Sequence, residues 1–300
     1  MDALPYGLIS FGPDANCTLE ICPIEASLLG YRPSLAASGT FIGIFSTALI
    51  VHAIQGWWTW TLGFMASIVC GCILEIAGYV GRILIYNNPF DFNGFIMQIV
   101  CITIAPLFFC AAIYVLLSQV IVQVDETKSR FKPKLYYWIF IPCDVVSLVL
   151  QAVGGAMSCL ASNKDDVQVG VDISLAGLVF QVVTITCFCA LFADYLVSCK
   201  RSGIWTTIDR RMKFFLIFLF LSILFILVRC VYRIVELREG YFSEMFREQP
   251  LFIALESAIT SVAVVCLTIG HPGYALHNKR RRTLDNEKMR TDSPSVLTQQ

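Results

Sequence analysis

A chain of 300 residues that is 57% hydrophobic and only 15% charged has too little polar surface for a soluble fold, in which about 25% of residues are charged. Its formal net charge is zero, and no nucleic-acid partner is expected of it. The apolar residues come in long blocks rather than in a 3.6-residue stripe, which points to helices surrounded by lipid.

A spanning helix needs about 20 mostly apolar residues, because ~30 Å of hydrocarbon is crossed at 1.5 Å per residue. In chain order the blocks are Ser34–Ile54, Trp58–Tyr86, Phe95–Val122, Tyr136–Cys159, Ile173–Val197, Phe214–Val235 and Leu251–Tyr274. The expected fold class is an all-α integral membrane protein with seven transmembrane helices. Residues 1–33 form an N-terminal tail, 34–275 the helical domain and 276–300 a C-terminal tail. Short connections such as Gln55-Gly56-Trp57 and Asn87-Asn88-Pro89 join the first spans.

Lys and Arg alternate strongly between the two sides. Lys128, Arg130, Lys132 and Lys134 follow span 3, and Lys200, Arg201, Arg210, Arg211 and Lys213 follow span 5. Lys279, Arg280, Arg281, Arg282, Lys288 and Arg290 follow span 7, whereas the opposite side carries only Arg32, Lys164, Arg238 and Arg247. Basic loops stay in the cytoplasm, so the expectation is an external N-terminus and a cytoplasmic C-terminus. The tail shows no basic segment followed by an apolar core, so no cleavable signal peptide is expected and span 1 acts as the insertion signal.

Asn16-Cys17-Thr18 is a glycosylation acceptor pattern on that external side. Cys17, Cys22 and Cys159 also face it, so one disulfide can form, for example Cys17–Cys22, although spacing does not choose the pairing. The remaining ten cysteines lie in or at the ends of spans and read as small packing residues. The segment after His277, with its Lys279–Arg282 run, reads as a disordered cytoplasmic tail near anionic lipids. Thr283 and Ser293-Pro294 are candidate phosphorylation sites there. This tail and the basic loops are the places for cytoplasmic partners.

Ionisable groups inside spans cost roughly 2.5–3.5 kcal/mol or more each, and here they are ordered. Span 2 carries Glu75, Tyr79 and Arg82 along one face, span 4 Asp144, Ser147 and Gln151, and span 6 Arg229, Arg233 and Glu236. Gln98, Gln181 and Glu256 lie on spans 3, 5 and 7. With the expected orientation all of them fall in the outer half of the bilayer. Arg229 and Arg233 repel one another and need carboxylates from other helices, so a network among spans 2, 4, 6 and 7 is expected. Two readings stay open: a polar clamp that holds the bundle together, or a cavity for the head group of an amphipathic ligand. Pro106 and Pro142 remove backbone hydrogen bonds inside spans 3 and 4. Ala77-Gly78, Gly81 and Gly154-Gly155 permit close helix approach, and Trp57, Trp58, Trp60 and Trp138 suit an interfacial belt.

Glu75-x-x-Gly78-Tyr79-x-x-Arg82, Gln98, Ala105-Pro106, Ala111-Ala112-x-Tyr114 and Asp144-x-x-Ser147-x-x-x-Gln151-x-x-Gly154-Gly155 occur in that order. Gly177-x-x-x-Gln181, Arg229-x-x-x-Arg233-x-x-Glu236, Gly240, Glu248 and His271-Pro272-Gly273 continue the series. In these motifs the chain resembles the fungal lipid-translocating exporter family, also called the resistance-to-aminocholesterol family. Glu256 stands where that family would carry Asp, and Phe252 where it would carry Tyr. The resemblance implies a seven-span fungal membrane protein linked to lipid asymmetry, release of sphingoid bases or tolerance of toxic amphiphiles.

Three classes of function compete. A transporter or exporter of amphipathic lipids and drugs, most naturally in the plasma membrane, would use Glu75, Asp144 and Glu256 to meet a cationic head. The sequence has no phosphate-binding P-loop. A lipid or drug sensor has the right topology, but Gln119-Val120-Ile121-Val122 ends span 3 without an Asp-Arg-Tyr triplet. Span 7 has neither Asn-Pro-x-x-Tyr nor a lysine for a Schiff base. An enzyme is disfavoured: His52, His271 and His277 lie outside the polar layer and lack metal-ligand spacing. No cofactor and no metal are expected.

Overall fold

The structure is a computed structural model, and it describes residues 8–9, 12, 15–27, 29–160, 164–239 and 248–270. Gly240, His271-Pro272-Gly273, the C-terminal tail and its candidate phosphorylation sites lie outside the described residues.

Seven helices are long and apolar enough to cross a membrane. They are α1 (Leu35–Thr59), α2 (Leu62–Asn87), α3 (Phe92–Val124), α4 (Pro133–Leu160), α5 (Lys164–Arg201), α6 (Arg210–Arg238) and α7 (Gln249–Ile269). The all-helical, seven-span class expected from the blocks is therefore the one observed, with no strand among the described residues. Local chemistry sets several ends. Ser34 Oγ accepts from the Ala37 amide at the start of α1, and Asp91 Oδ1 accepts from the Asn93 amide at the start of α3. Pro133 opens α4, where its missing N–H is not needed.

Most boundaries shift by a few residues from the expectation, and two shifts are informative. The turn between α1 and α2 falls at Trp60–Thr61, not at Gln55–Trp57. Trp60 takes a left-handed conformation (φ 55°) and its N–H closes on the Gly56 carbonyl, a helix stop that hydropathy does not register. α5 begins at Lys164 rather than Ile173. Its polar first turns continue the helix beyond the apolar block, and Asp165 and Asp166 suit the positive end of the helix dipole.

Consecutive helices pack side by side around a ring that α7 closes against α1, while α3 also contacts α6. Pairing is tightest where glycines remove side chains. A Cβ on Gly154 would lie 2.4 Å from the Gly170 carbonyl and 2.5 Å from the Ser174 amide, so α4 and α5 touch backbone to backbone. Gly81 plays the same part between α2 and α3, against Gly94 and Gln98. One end of the bundle carries the N-terminal tail, hereafter the tail end. The other carries the lysine- and arginine-rich loops, and there Trp57, Trp58, Trp60 and Trp138 are all strongly exposed. Between them lies an aromatic core of Tyr114, Phe140, Phe188 and Phe192.

Candidate functional site

In the tail-end half, α2, α3, α6 and α7 enclose a polar chamber. Arg229 of α6 donates to Glu256 of α7 in an ion pair that is almost wholly buried. The same guanidinium donates to the Ile102 carbonyl of α3 at 2.7 Å. That carbonyl is available because Pro106, four residues on, has no N–H to give it. The proline thus turns a break in one helix into an acceptor for the next. Glu256 sits in a π-helical stretch, Phe252–Ala258, that interrupts α7, and such wide turns recur at functional sites.

Among the described residues the carboxylate that pairs with Arg233 does not come from another helix, as the sequence had suggested it would. Arg233 pairs with Glu236 on α6 itself at 2.5 Å, because a three-residue offset brings both side chains to one face. Arg82 has no carboxylate partner among the described residues. It donates to the Tyr31 hydroxyl at 3.3 Å, and its guanidinium lies 4.1 Å from the centre of the Phe252 ring. The phenylalanine that stands in the expected tyrosine's place thus serves as a cation platform. Glu75 is 1% exposed and makes no ion pair among the described residues, where its Oε1 also has no hydrogen-bond partner. Tyr79 stacks on Phe41 and Phe45 of α1, and its buried hydroxyl has no hydrogen-bond partner among the described residues.

The expected single network across α2, α4, α6 and α7 divides into separate parts. Asp144 accepts from the Tyr114 hydroxyl of α3 at 2.8 Å, deep in the aromatic core. Gln151 donates to Gln181 of α5 at 3.0 Å. Neither bond belongs to the chamber, because α4 leans on α3 and α5 and does not pack broadly on α6 or α7.

Arg82, Gln98, Arg233, Glu236, Phe252 and Glu256 line a small cavity of about 10 Å3, the room of one water. Its wall holds two buried polar atoms without partners, Gln98 Oε1 and Glu256 Oε2, and both are acceptors. Leu29 and Tyr31 of the N-terminal tail cover it. That cover is anchored: Leu29 packs with Ile85 and Phe95, and Arg32 donates twice to the Tyr86 carbonyl and stacks on its ring. Farther out, the Cys17–Cys22 disulfide packs on Phe90 between α2 and α3. Asn16 accepts from the Ile9 amide at 2.7 Å.

A second cavity of about 330 Å3 adjoins the first. Phe95, Ile99, Val100 and Thr103 of α3 form one wall and Leu148, Ala152 and Ala156 of α4 the other; Gln151, Leu178, Arg233 and Leu237 close the back. Val100 and Val149 on its rim are about half exposed, so the cleft opens sideways between α3 and α4. Ile99, Thr103 and Arg233 border both cavities. An apolar cleft on the lipid-facing surface therefore leads to a polar chamber in the bundle. Sequence reading missed the cleft, the tail's cover and the π-helical stretch. Only the departure at Phe252 hinted at the cation platform.

The family described as RTA1 like protein matches residues 68–279. The chain belongs to that family. This is the lipid-translocating fungal family that its ordered motifs resembled. The match takes in every charged pair of the chamber and leaves out the tail that covers it. Over 289 residues the chain is 29% identical to the sphingoid long-chain base transporter RSB1 of Saccharomyces cerevisiae, covering 83% of this chain and 74% of that protein. It is 28% identical over 202 residues to protoporphyrin uptake protein 1 of the same yeast, covering 67% of this chain and 66% of that protein. Protein RTM1 of Saccharomyces cerevisiae is also 28% identical over 202 residues, covering 67% and 64%. No solved structure matches. The seven apolar helices and this kinship make the chain a multi-pass integral membrane protein.

Proposed function

We propose that this protein translocates long-chain amphipathic bases between the leaflets of a fungal plasma membrane, with its N-terminal tail outside. The alkyl chain lies in the cleft between α3 and α4 while the head group occupies the chamber beneath Leu29 and Tyr31. The observation that carries this reading is the junction of the two cavities at Ile99, Thr103 and Arg233. The head group follows from the partnerless atoms: Gln98 Oε1 and Glu256 Oε2 are acceptors, and an ammonium is a compact set of three donors. The kinship with a sphingoid-base transporter supports the same ligand class. Glu75, Arg229 and Glu236 then hold the charge balance around the head, and the activity is transport rather than catalysis.

The test is transfer of a labelled sphingoid base across liposomes containing the purified protein. Transfer well above that of empty liposomes, lost on Ala152→Trp, is expected. Transfer no faster than in empty liposomes overturns the reading; binding without transfer moves it to the sensor class.

A further inference from the structure

Arg82, Arg233, Glu236 and Glu256 line the chamber, with Arg229 and Glu75 behind them; among the described residues these three guanidiniums and three carboxylates do not pair one to one. Two ion pairs leave Glu75 and Arg82. These two lie seven residues apart on α2, about 10 Å along the axis, and Arg82 is satisfied by Tyr31 and Phe252. Glu75 is left with an oxygen that is buried and has no partner. The ionisable groups that face it are Cys72 and Tyr79 from α2, Cys101 from α3, Arg229 from α6 and Glu256 from α7. On the α1 side, Phe41 and Phe45 stack on the neighbouring Tyr79. One guanidinium therefore serves two carboxylates. With Arg229 bonded to Glu256 through Nη2, a charge on Glu75 is only partly offset at this buried position, and a bound proton removes it.

We propose that Glu75 is a proton-exchange site, and that the protein exchanges one proton for one ligand ammonium. This rests on the translocation reading. When an ammonium reaches the free oxygen of Glu256, that carboxylate turns from Arg229 toward the ligand. The guanidinium then faces Glu75, whose O–H bond breaks; the electron pair stays on the carboxylate and the proton leaves to solvent. Charge is conserved at each step: one proton out, one monovalent cation in. Release of the ligand reverses the sequence, so the ligand's movement is tied to a proton moving the other way. The π-helical stretch around Glu256 gives that side chain a local alternative of backbone register, whereas Glu75 sits in an unbroken α-helix.

The experiment uses the full chain in detergent and, as probe, a primary long-chain amine, whose ammonium stays protonated throughout the acidic and neutral range. Below the pH at which free Glu75 ionises, affinity should rise about tenfold per pH unit, with one proton released per probe bound. In Glu75→Gln, which mimics the protonated acid, the probe should still bind, with neither pH slope nor proton release. At neutral pH the difference spectrum between the parent protein and Glu75→Gln should show the infrared carbonyl band of one buried carboxylic acid, with any band from Asp144 common to both; this readout needs no ligand. Binding without proton release, or the same release from Glu75→Gln, overturns the exchange and leaves translocation standing. Absence of the infrared band overturns it also. Failure of the amine to bind at all overturns both readings.

Discussion

The Arg229–Glu256 pair offers the sharpest test of the chamber's energetics. Both side chains are at most 4% exposed, so removing one charge strands the other, and breaking a buried pair in this way costs about 3–5 kcal/mol. Glu256→Gln should fall at the lower end, because Ile102 still accepts from Arg229 and Glu75 stands ready to replace the lost carboxylate. At roughly 2–4 °C per kcal/mol for a chain of this size, about 3 kcal/mol lowers Tm by roughly 6–12 °C. Glu75→Gln alone should change Tm by no more than about 2 °C, since Gln copies a neutral acid. The double variant removes both carboxylates and should cost more than the sum of the two single changes. Unfolding in micelles can be followed with a thiol-reactive dye, because Cys72, Cys110, Cys189 and Cys230 are buried until the bundle opens. If Glu75→Gln costs as much as Glu256→Gln, or if the double variant adds nothing, then Arg229 is not shared between the two carboxylates.

Three further outcomes are expected. Gly154→Ala drives a methyl into the Gly170 carbonyl and the Ser174 amide; separating α4 from α5 should cost about 1–3 kcal/mol, read as a lower Tm, and an unchanged Tm would contradict the backbone contact. Ala152→Trp places an indole in the cleft between α3 and α4; amphiphile binding should drop at least about tenfold with Tm preserved, since the site faces lipid and no core contact is lost. Replacing Cys17 and Cys22 together by Ser frees the tail from its anchor on Phe90. A polar maleimide should then label a Gln98→Cys variant faster, as measured by mass spectrometry, and an unchanged rate would mean that Leu29 and Tyr31 hold the cover by themselves.

The apolar blocks announced seven helices because a lipid-embedded helix must hide every backbone polar group internally, which makes span length a local property. Depth was legible for the same reason: Glu75, Arg82, Gln98, Arg229, Arg233 and Glu256 lie on faces and at heights set by helical period and direction alone. Helix ends were less legible where the neighbours stayed apolar, as at Trp60, or where a polar turn prolonged the helix, as at Lys164.

What periodicity could not supply was partnership. Asp144 and Arg229 both looked like members of one network, yet Asp144 bonds to Tyr114 and Arg229 to Glu256 and Ile102. Which helix stands beside which is decided by close approach at glycines such as Gly81 and Gly154, a long-range matter that no spacing within one helix encodes. The sequence by itself therefore determined the number, length and polar faces of the helices. Only the tertiary structure decided which charges pair, that Glu75 Oε1 has no partner among the described residues, and that an apolar cleft adjoins the polar chamber, because these depend on contacts between residues far apart in the chain.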